Sequence, residues 1–176
     1  MKYASAHAEQ RCSATQHILN FFFHAPGGSF KTSTDRLFRS LLHQLLEKIP
    51  GVYHSLDKRR LKLIERQGWP STLLKDTFRE AFLSLDQDQV ICYIDAMDEC
   101  CYDNIENIVH YFDNLGDALM VEEKRSLVYL SSRHYPHITF SKSIRLVLED
   151  QQGHAVEART YARNIRTPRP DPSEAV

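Results

Sequence analysis

The spacing of apolar residues changes period several times along this chain, and each change marks a predicted element. Met1 to Ala8 (MKYASAHA) favours helix. His17 to Ala25 (HILNFFFHA) is an apolar run too brief for a core helix and is closed by Pro26-Gly27-Gly28, which predicts a buried strand. From Thr34 onward Leu37, Phe38, Leu41, Leu42, Leu45 and Ile49 recur three or four apart until Pro50-Gly51 stops them, the signature of an amphipathic helix. A charged connector of helical character, with Asp57-Lys58-Arg59-Arg60, runs to Gly68-Trp69-Pro70. Ser71 is then placed to cap a helix presenting Leu73, Leu74, Phe78, Ala81, Phe82 and Leu85.

The run Gln89 to Asp95 (QVICYID) is almost wholly apolar and rich in β-formers, as expected of a strand covered on both faces near the middle of a parallel sheet. A helix with Ile105, Ile108, Val109, Phe112 and Leu115 on one face follows, then a short strand from Ser126 to Ser131. Ser143 to Glu149 reads as a further strand and residues 154 to 165 as a weaker helix. Strand and helix alternate, which predicts an α/β fold with crossover helices. Residues 167 to 176 hold Pro168, Pro170 and Pro172 and no apolar periodicity, so a disordered tail is expected there.

With 176 residues, 42% of them apolar, the chain can bury one core, and a single domain over residues 1–166 is expected. Its 22 basic and 23 acidic residues nearly cancel, which removes any whole-chain field favouring nucleic acid or an anionic membrane. No apolar stretch has signal-peptide or membrane-spanning length, so a soluble, cytoplasmic protein is expected. Cys12, Cys92, Cys100 and Cys101 lack paired C-x-x-C spacing and suit reduced thiols. His134 and His137 beside Cys100 or Cys101 make a poor zinc set, because Pro136 interrupts them and no fourth ligand is evident. A cysteine nucleophile is disfavoured too, since Cys92 is mid-strand and carboxylates near Cys100 would raise a thiol pKa. Lys58-Arg59-Arg60 reads as a solvated helix face, and Phe21, Phe22 and Phe23 as packing rather than a base-stacking platform.

The chemistry gathers after the central strand. In a parallel α/β sheet ligands bind outside the carboxyl ends of the strands, and Asp95 stands where the apolar run gives out. Asp98 and Glu99 follow closely, so three carboxylates could converge on a magnesium ion and a water, hard oxygen ligands being what that cation takes. The alternative, of about equal weight for an arbitrary D-x-x-D-E, is that Asp98 or Glu99 caps a helix beginning near Asp103. Ser131-Ser132-Arg133 ends the next strand and sets a guanidinium at the same sheet edge, where it can meet a terminal phosphate or be an ordinary surface arginine.

Val90 to Cys100 (VICYIDAMDEC) resembles the extended Walker B motif of NACHT-type NTPases in its fungal form. Phe21 to Ala25 (FFFHA), Leu37 to Leu46 (LFRSLLHQLL) and Leu130 to Ile138 (LSSRHYPHI) resemble segments of the same family in the same order. The resemblance spans about 165 residues. It is to the nephrocystin 3-like N-terminal and heterokaryon-incompatibility-type signalling NTPases, and it implies a three-layer P-loop NTPase-like parallel sheet flanked by helices. It further implies magnesium with ATP or GTP as cofactors of the intact family, Asp95 on the metal, Asp98 and Glu99 orienting or deprotonating the attacking water, and Arg133 as nucleotide sensor. Partners implied are further copies of the chain or full-length NACHT relatives, with an effector domain and repeats as neighbours.

The family's phosphate loop, G-x-x-x-x-G-K-[ST], supplies backbone amides, a lysine and a hydroxyl to the phosphates and magnesium, and no such string occurs in the chain. Gly27-Gly28-Ser29-Phe30-Lys31-Thr32 carries Phe30 where the second glycine belongs and reads as a loop ahead of a helix starting several residues later. Met1-Lys2-Tyr3-Ala4 resembles the helix just beyond the loop in relatives, so the expectation is a fold lacking the first strand and phosphate loop. Weak or absent nucleotide hydrolysis and marginal stability would follow. The function expected is thus a fragment of a nucleotide-dependent signalling switch. The alternatives are a nucleotide-free interaction module docking through its exposed edge, or the product of an incomplete gene prediction with no independent function.

Overall fold

A computed structural model describes residues 2–23, 31–100 and 102–133, together with 144, 146 and 147. The chain forms two compact units, Met1–Ser141 and Lys142–Val176. The first unit contains α1 (Lys2–Glu9), β1 (Gln16–Phe22), α2 (Lys31–Lys48), α3 (Val52–Ser55), α4 (Lys58–Gln67), α5 (Ser71–Leu83), β2 (Gln89–Asp95), α6 (Tyr102–Val121) and β3 (Leu127–Leu130). A single 3-10 turn, Met97–Glu99, joins β2 to α6.

The strands form a parallel sheet in the order β1-β2-β3, flanked by helices, which is the expected α/β class. The register sets Leu19 beside Cys92 beside Val128, and Phe21 beside Ile94 beside Leu130. Side chains alternate across a strand, so these residues share one face. With Val90 they pack on a continuous core of Leu37, Phe38, Leu41 and Leu45 from α2, Leu74, Phe78 and Phe82 from α5, and Ile105, Ile108, Phe112 and Leu115 from α6. Phe38 is fully buried at the centre, its ring 4.6 Å from Tyr111, 5.9 Å from Phe78 and 6.0 Å from Phe112. The Tyr111 hydroxyl, drawn into this apolar layer, donates to the carbonyl of Lys75 at 2.7 Å, which meets the requirement that buried polar groups be paired.

The two long edges of the sheet are finished differently. On β1 the side-chain amide of Gln44 accepts from the Asn20 N–H and donates to the Asn20 C=O, both at 2.9 Å. On β3 the N–H of Ser131 donates to Ile94 and its C=O accepts from Met97, so alternation turns the backbone groups of Val128 and Leu130 away from β2. No neighbouring strand lies there among the described residues. On the opposite face from the core, Leu127 and Tyr129 are half-exposed, with Tyr129 stacked on Tyr93 at 5.0 Å.

Three local expectations are corrected. α2 begins at Lys31 and not at Thr34, because its first turn, Lys31-Thr32-Ser33, is polar and invisible to apolar periodicity. Lys31 and Thr32, expected in a loop several residues short of the helix, are therefore its first two residues; residues 24–30 lie outside the described residues. Ser71 is the first helical residue of α5 and not its cap; Pro70, with φ −64° and ψ 150°, takes the extended cap position and no side chain caps the helix. Of the expected strand from Ser143 to Glu149 only Ile144, Leu146 and Val147 are described, and none of the three is in a strand. The helix over 154 to 165, the tail from 167, and His134 and His137 lie outside the described residues.

Candidate functional site

The carboxyl ends of β2 and β3 are laced together by backbone hydrogen bonds. Ser131 N–H donates to the Ile94 carbonyl at 2.9 Å, Met97 N–H donates to the Ser131 carbonyl at 3.0 Å, and Phe23 N–H donates to the Asp95 carbonyl at 3.1 Å. This lacing holds three successive strand ends at one level. The chain then turns sharply at Ala96, whose φ of 59° and ψ of 44° are left-handed. Met97, fully buried, anchors the turn, which closes with Glu99 N–H donating to Ala96 and Cys100 N–H to Met97, both at 3.0 Å.

Each acidic residue has a definite place in this frame. Asp95 Oδ1 accepts from the Ala96 N–H at 2.9 Å and from the hydroxyl of Ser131 on the adjacent strand. Asp98 turns instead toward the residue that ends the β3 segment. Its Oδ1 accepts from the Arg133 N–H at 3.2 Å and its Oδ2 meets Arg133 Nε at 3.2 Å, the carboxylate being 13% exposed and the arginine side chain 83%. The hydrogen bonds of Asp98 therefore go to Arg133 and not to the first turn of α6, which decides against a capping role for it. Glu99 sits half-buried on the same 3-10 turn.

Ser131 carries only a faint mark in the sequence. Its signal is a small hydroxyl at the end of an apolar strand, one residue beyond the Ile94–Leu130 pair and hence level with Asp95. The Asp98–Arg133 pairing was equally hidden, because the two residues stand 35 positions apart.

Magnesium bound by protein alone requires about six oxygen ligands in a tight octahedron. Among the described residues no group of three His, Cys, Asp or Glu side chains is gathered for a metal. The donor set at this sheet edge, one strand-end carboxylate backed by a serine hydroxyl, fits magnesium only in the form it takes when phosphates and water supply the remaining ligands. Cys92, on β2 inside the core, has its thiol pushed far up by burial, which removes it as a nucleophile. Cys12, Cys92 and Cys100 are not joined in disulfides.

Residues 2–133 match the family described as Nephrocystin 3, N-terminal. The chain belongs to this family. The nephrocystin 3 N-terminal span runs from α1 to Arg133 and takes in β1, β2 and β3 together with Asp95, Asp98, Glu99 and Arg133. No curated protein and no solved structure matches the chain. Among the described residues no helix of this nephrocystin 3 N-terminal domain is long and apolar enough to cross a membrane.

The left-handed conformation of Ala96 gives a direct test of the turn. A non-glycine residue there carries a penalty of about 1 kcal/mol that glycine escapes, offset partly by glycine's freer unfolded state. Ala96→Gly is expected to leave stability unchanged or raise it by up to about 1 kcal/mol, and Ala96→Val to lower it by about 1–2 kcal/mol, read as shifts of the urea midpoint. Equal losses in both variants would show that the turn is not left-handed at this residue.

Proposed function

We propose that this chain is the core of a NACHT-type nucleotide-dependent signalling switch, and that the 176 residues alone bind nucleotide weakly and hydrolyse it little or not at all. The observation carrying this reading is the assembly of Asp95, Asp98, Glu99 and Arg133 at the carboxyl ends of two adjacent parallel strands, inside the family span. The acidic motif and the arginine fall at one sheet edge, the place where α/β folds bind ligands.

In this reading Asp95 is the carboxylate for the metal, held in one orientation by the Ser131 hydroxyl and the Ala96 N–H. Magnesium bound with nucleotide would neutralise charge on the β- and γ-phosphates. Glu99, on the turn one residue past Asp98, is assigned to orienting the attacking water, because both oxygens of Asp98 already accept from Arg133. Arg133 presents its exposed guanidinium to a terminal phosphate, so that its interaction changes when that phosphate leaves. Weak binding follows from chemistry: no G-x-x-x-x-G-K-[ST] string is present to cradle the phosphates, and one carboxylate holds magnesium poorly without them.

The test is magnesium-dependent binding of labelled ATP and GTP to the 176-residue chain and to a version extended at its N-terminus by a strand and phosphate loop, each with and without Asp95→Ala. Circular dichroism first establishes that all four are folded. Binding is expected in the extended chain and to fall by about tenfold or more in Asp95→Ala, the worth of a charge-assisted interaction. If neither version binds, the switch reading fails. A nucleotide-free interaction module then takes its place, its docking element being the outward backbone groups of Val128 and Leu130.

A further inference from the structure

The sequence motif groups Asp98 with Asp95 and Glu99 as one acidic cluster, but the geometry separates it from them. Both oxygens of Asp98 are spent on one residue: Oδ1 on the backbone N–H of Arg133 and Oδ2 on its Nε, each at 3.2 Å. A carboxylate used this way grips main chain and side chain together, and it fixes where the guanidinium starts and which edge it turns outward. With Nε engaged, the Nη1/Nη2 edge is the one left to solvent on a side chain that is 83% exposed. That edge is the fork which matches two oxygens of a phosphate.

Stability is a poor explanation for the arrangement, since pairs with one solvent-exposed partner contribute little to it. Precision is a better one. The 3-10 turn carrying Asp98 is tied to β3 by Met97 N–H donating to the Ser131 carbonyl, so donor and acceptor ride on one rigid unit. Arg133 makes no other polar contact among the described residues, and without Asp98 its long side chain would sample many rotamers.

We infer that Asp98 is a positioning residue that aims Arg133 at a phosphate, and that it does not act on water. This rests on the nucleotide reading for the identity of the anion, while the pairing itself is independent of it. The two roles predict opposite signs. An acid beside a phosphate repels it, so removing a carboxylate of no other use tightens anion binding. Removing a carboxylate that aims the arginine loosens it.

The experiment follows the Arg133 Nε–Hε resonance by 15N NMR in the full 176-residue chain during titration with inorganic pyrophosphate in the absence of magnesium. Asp98→Ala and Asp98→Asn are compared with the unmutated chain, Arg133→Ala assigns the resonance by its disappearance, and the backbone amide spectrum confirms that each is folded. Asp98→Asn removes the charge yet keeps an amide oxygen for the Arg133 N–H, so it separates aim from mere folding.

In the unmutated chain the Nε–Hε proton is expected to exchange with water about tenfold more slowly than in Asp98→Ala, as a hydrogen-bonded proton does. Pyrophosphate is expected to shift the resonance, with affinity falling severalfold in both Asp98 variants despite the lost negative charge. Faster exchange that fails to appear, or tighter pyrophosphate binding in either Asp98 variant, overturns the inference. So does an unmutated chain whose Arg133 resonance ignores pyrophosphate. A pyrophosphate response that persists while the extended chain binds neither ATP nor GTP overturns the nucleotide reading and leaves the aiming role standing for another phosphate ligand.

Discussion

Phe38→Ala is expected to destabilise the domain by about 3–5 kcal/mol, the range for removing a large aromatic side chain from a packed core. Phe38 is fully buried between α5 and α6, within ring contact of Phe78, Tyr111 and Phe112. Truncation would therefore open a void bordered by stiff rings that cannot collapse into it. Domains of this size have only about 5–15 kcal/mol of stability in total, so a loss of this size removes a large share of it. At 37 °C the variant is expected to be largely unfolded, while Phe38→Leu, which refills most of the volume, should lose about 1–2 kcal/mol. Urea unfolding followed by circular dichroism checks both. A midpoint for Phe38→Ala within experimental error of the unmutated chain would mean that the core lies elsewhere.

The importance of Phe38 was legible in the sequence only as one of six apolar residues on a periodic stripe. Periodicity states that a face is buried and says nothing of which side chain is central, because that depends on α5 and α6 crossing at the same point. The strands followed a similar rule. Gln89 to Asp95 was readable because β2 is central and covered, so nearly every position is apolar. Which two strands flank it was not readable, since the choice of neighbours depends on which crossover packs where.

The place of Asp95 at the carboxyl end of β2 was legible from the end of an apolar run, because a covered strand turns polar where it leaves the core. The separation of Asp98 from Asp95 could not be found that way. It depends on the left-handed Ala96 and the 3-10 turn, which swing Asp98 toward β3, and alanine carries no sequence mark of that conformation.

The second large effect is expected at alkaline pH. Burial holds the Cys92 thiol and the Tyr111 hydroxyl well above their usual ranges; for Tyr111 the Arg79 guanidinium pulls the other way, while Asp76 and Cys92 add to the rise. In the unfolded chain they ionise near their ordinary values, about 8.5 for cysteine and about 10 for tyrosine. The folded state thus keeps protons that the unfolded state releases. Stability is therefore full below about pH 8.5 and falls as pH rises, by about 1.4 kcal/mol per pH unit for Cys92 and then by a similar further slope above about pH 10 for Tyr111. From pH 8.5 to 10.5 the loss is expected to reach about 2–4 kcal/mol. Urea midpoints measured across that range test it, with Cys92→Ala as the control. That variant should start from lower stability yet hold its midpoint steady until Tyr111 begins to titrate. An unchanged slope in Cys92→Ala would show that the thiol is not responsible.

One further property follows from Gln44. The apolar stripe of α2 repeats so regularly that, judged by greasy contact alone, the helix could slide by a turn along its own axis and present a nearly equivalent surface. Gln44 breaks that degeneracy, because its side-chain amide carries an acceptor for the Asn20 N–H and, on a separate atom, a donor for the Asn20 carbonyl. One turn away on the same face stand Ser40, whose single hydroxyl cannot span both groups, and Lys48, which can only donate. The amide therefore works as a key in a slot, giving α2 one setting against the sheet where hydrophobicity alone would have allowed several.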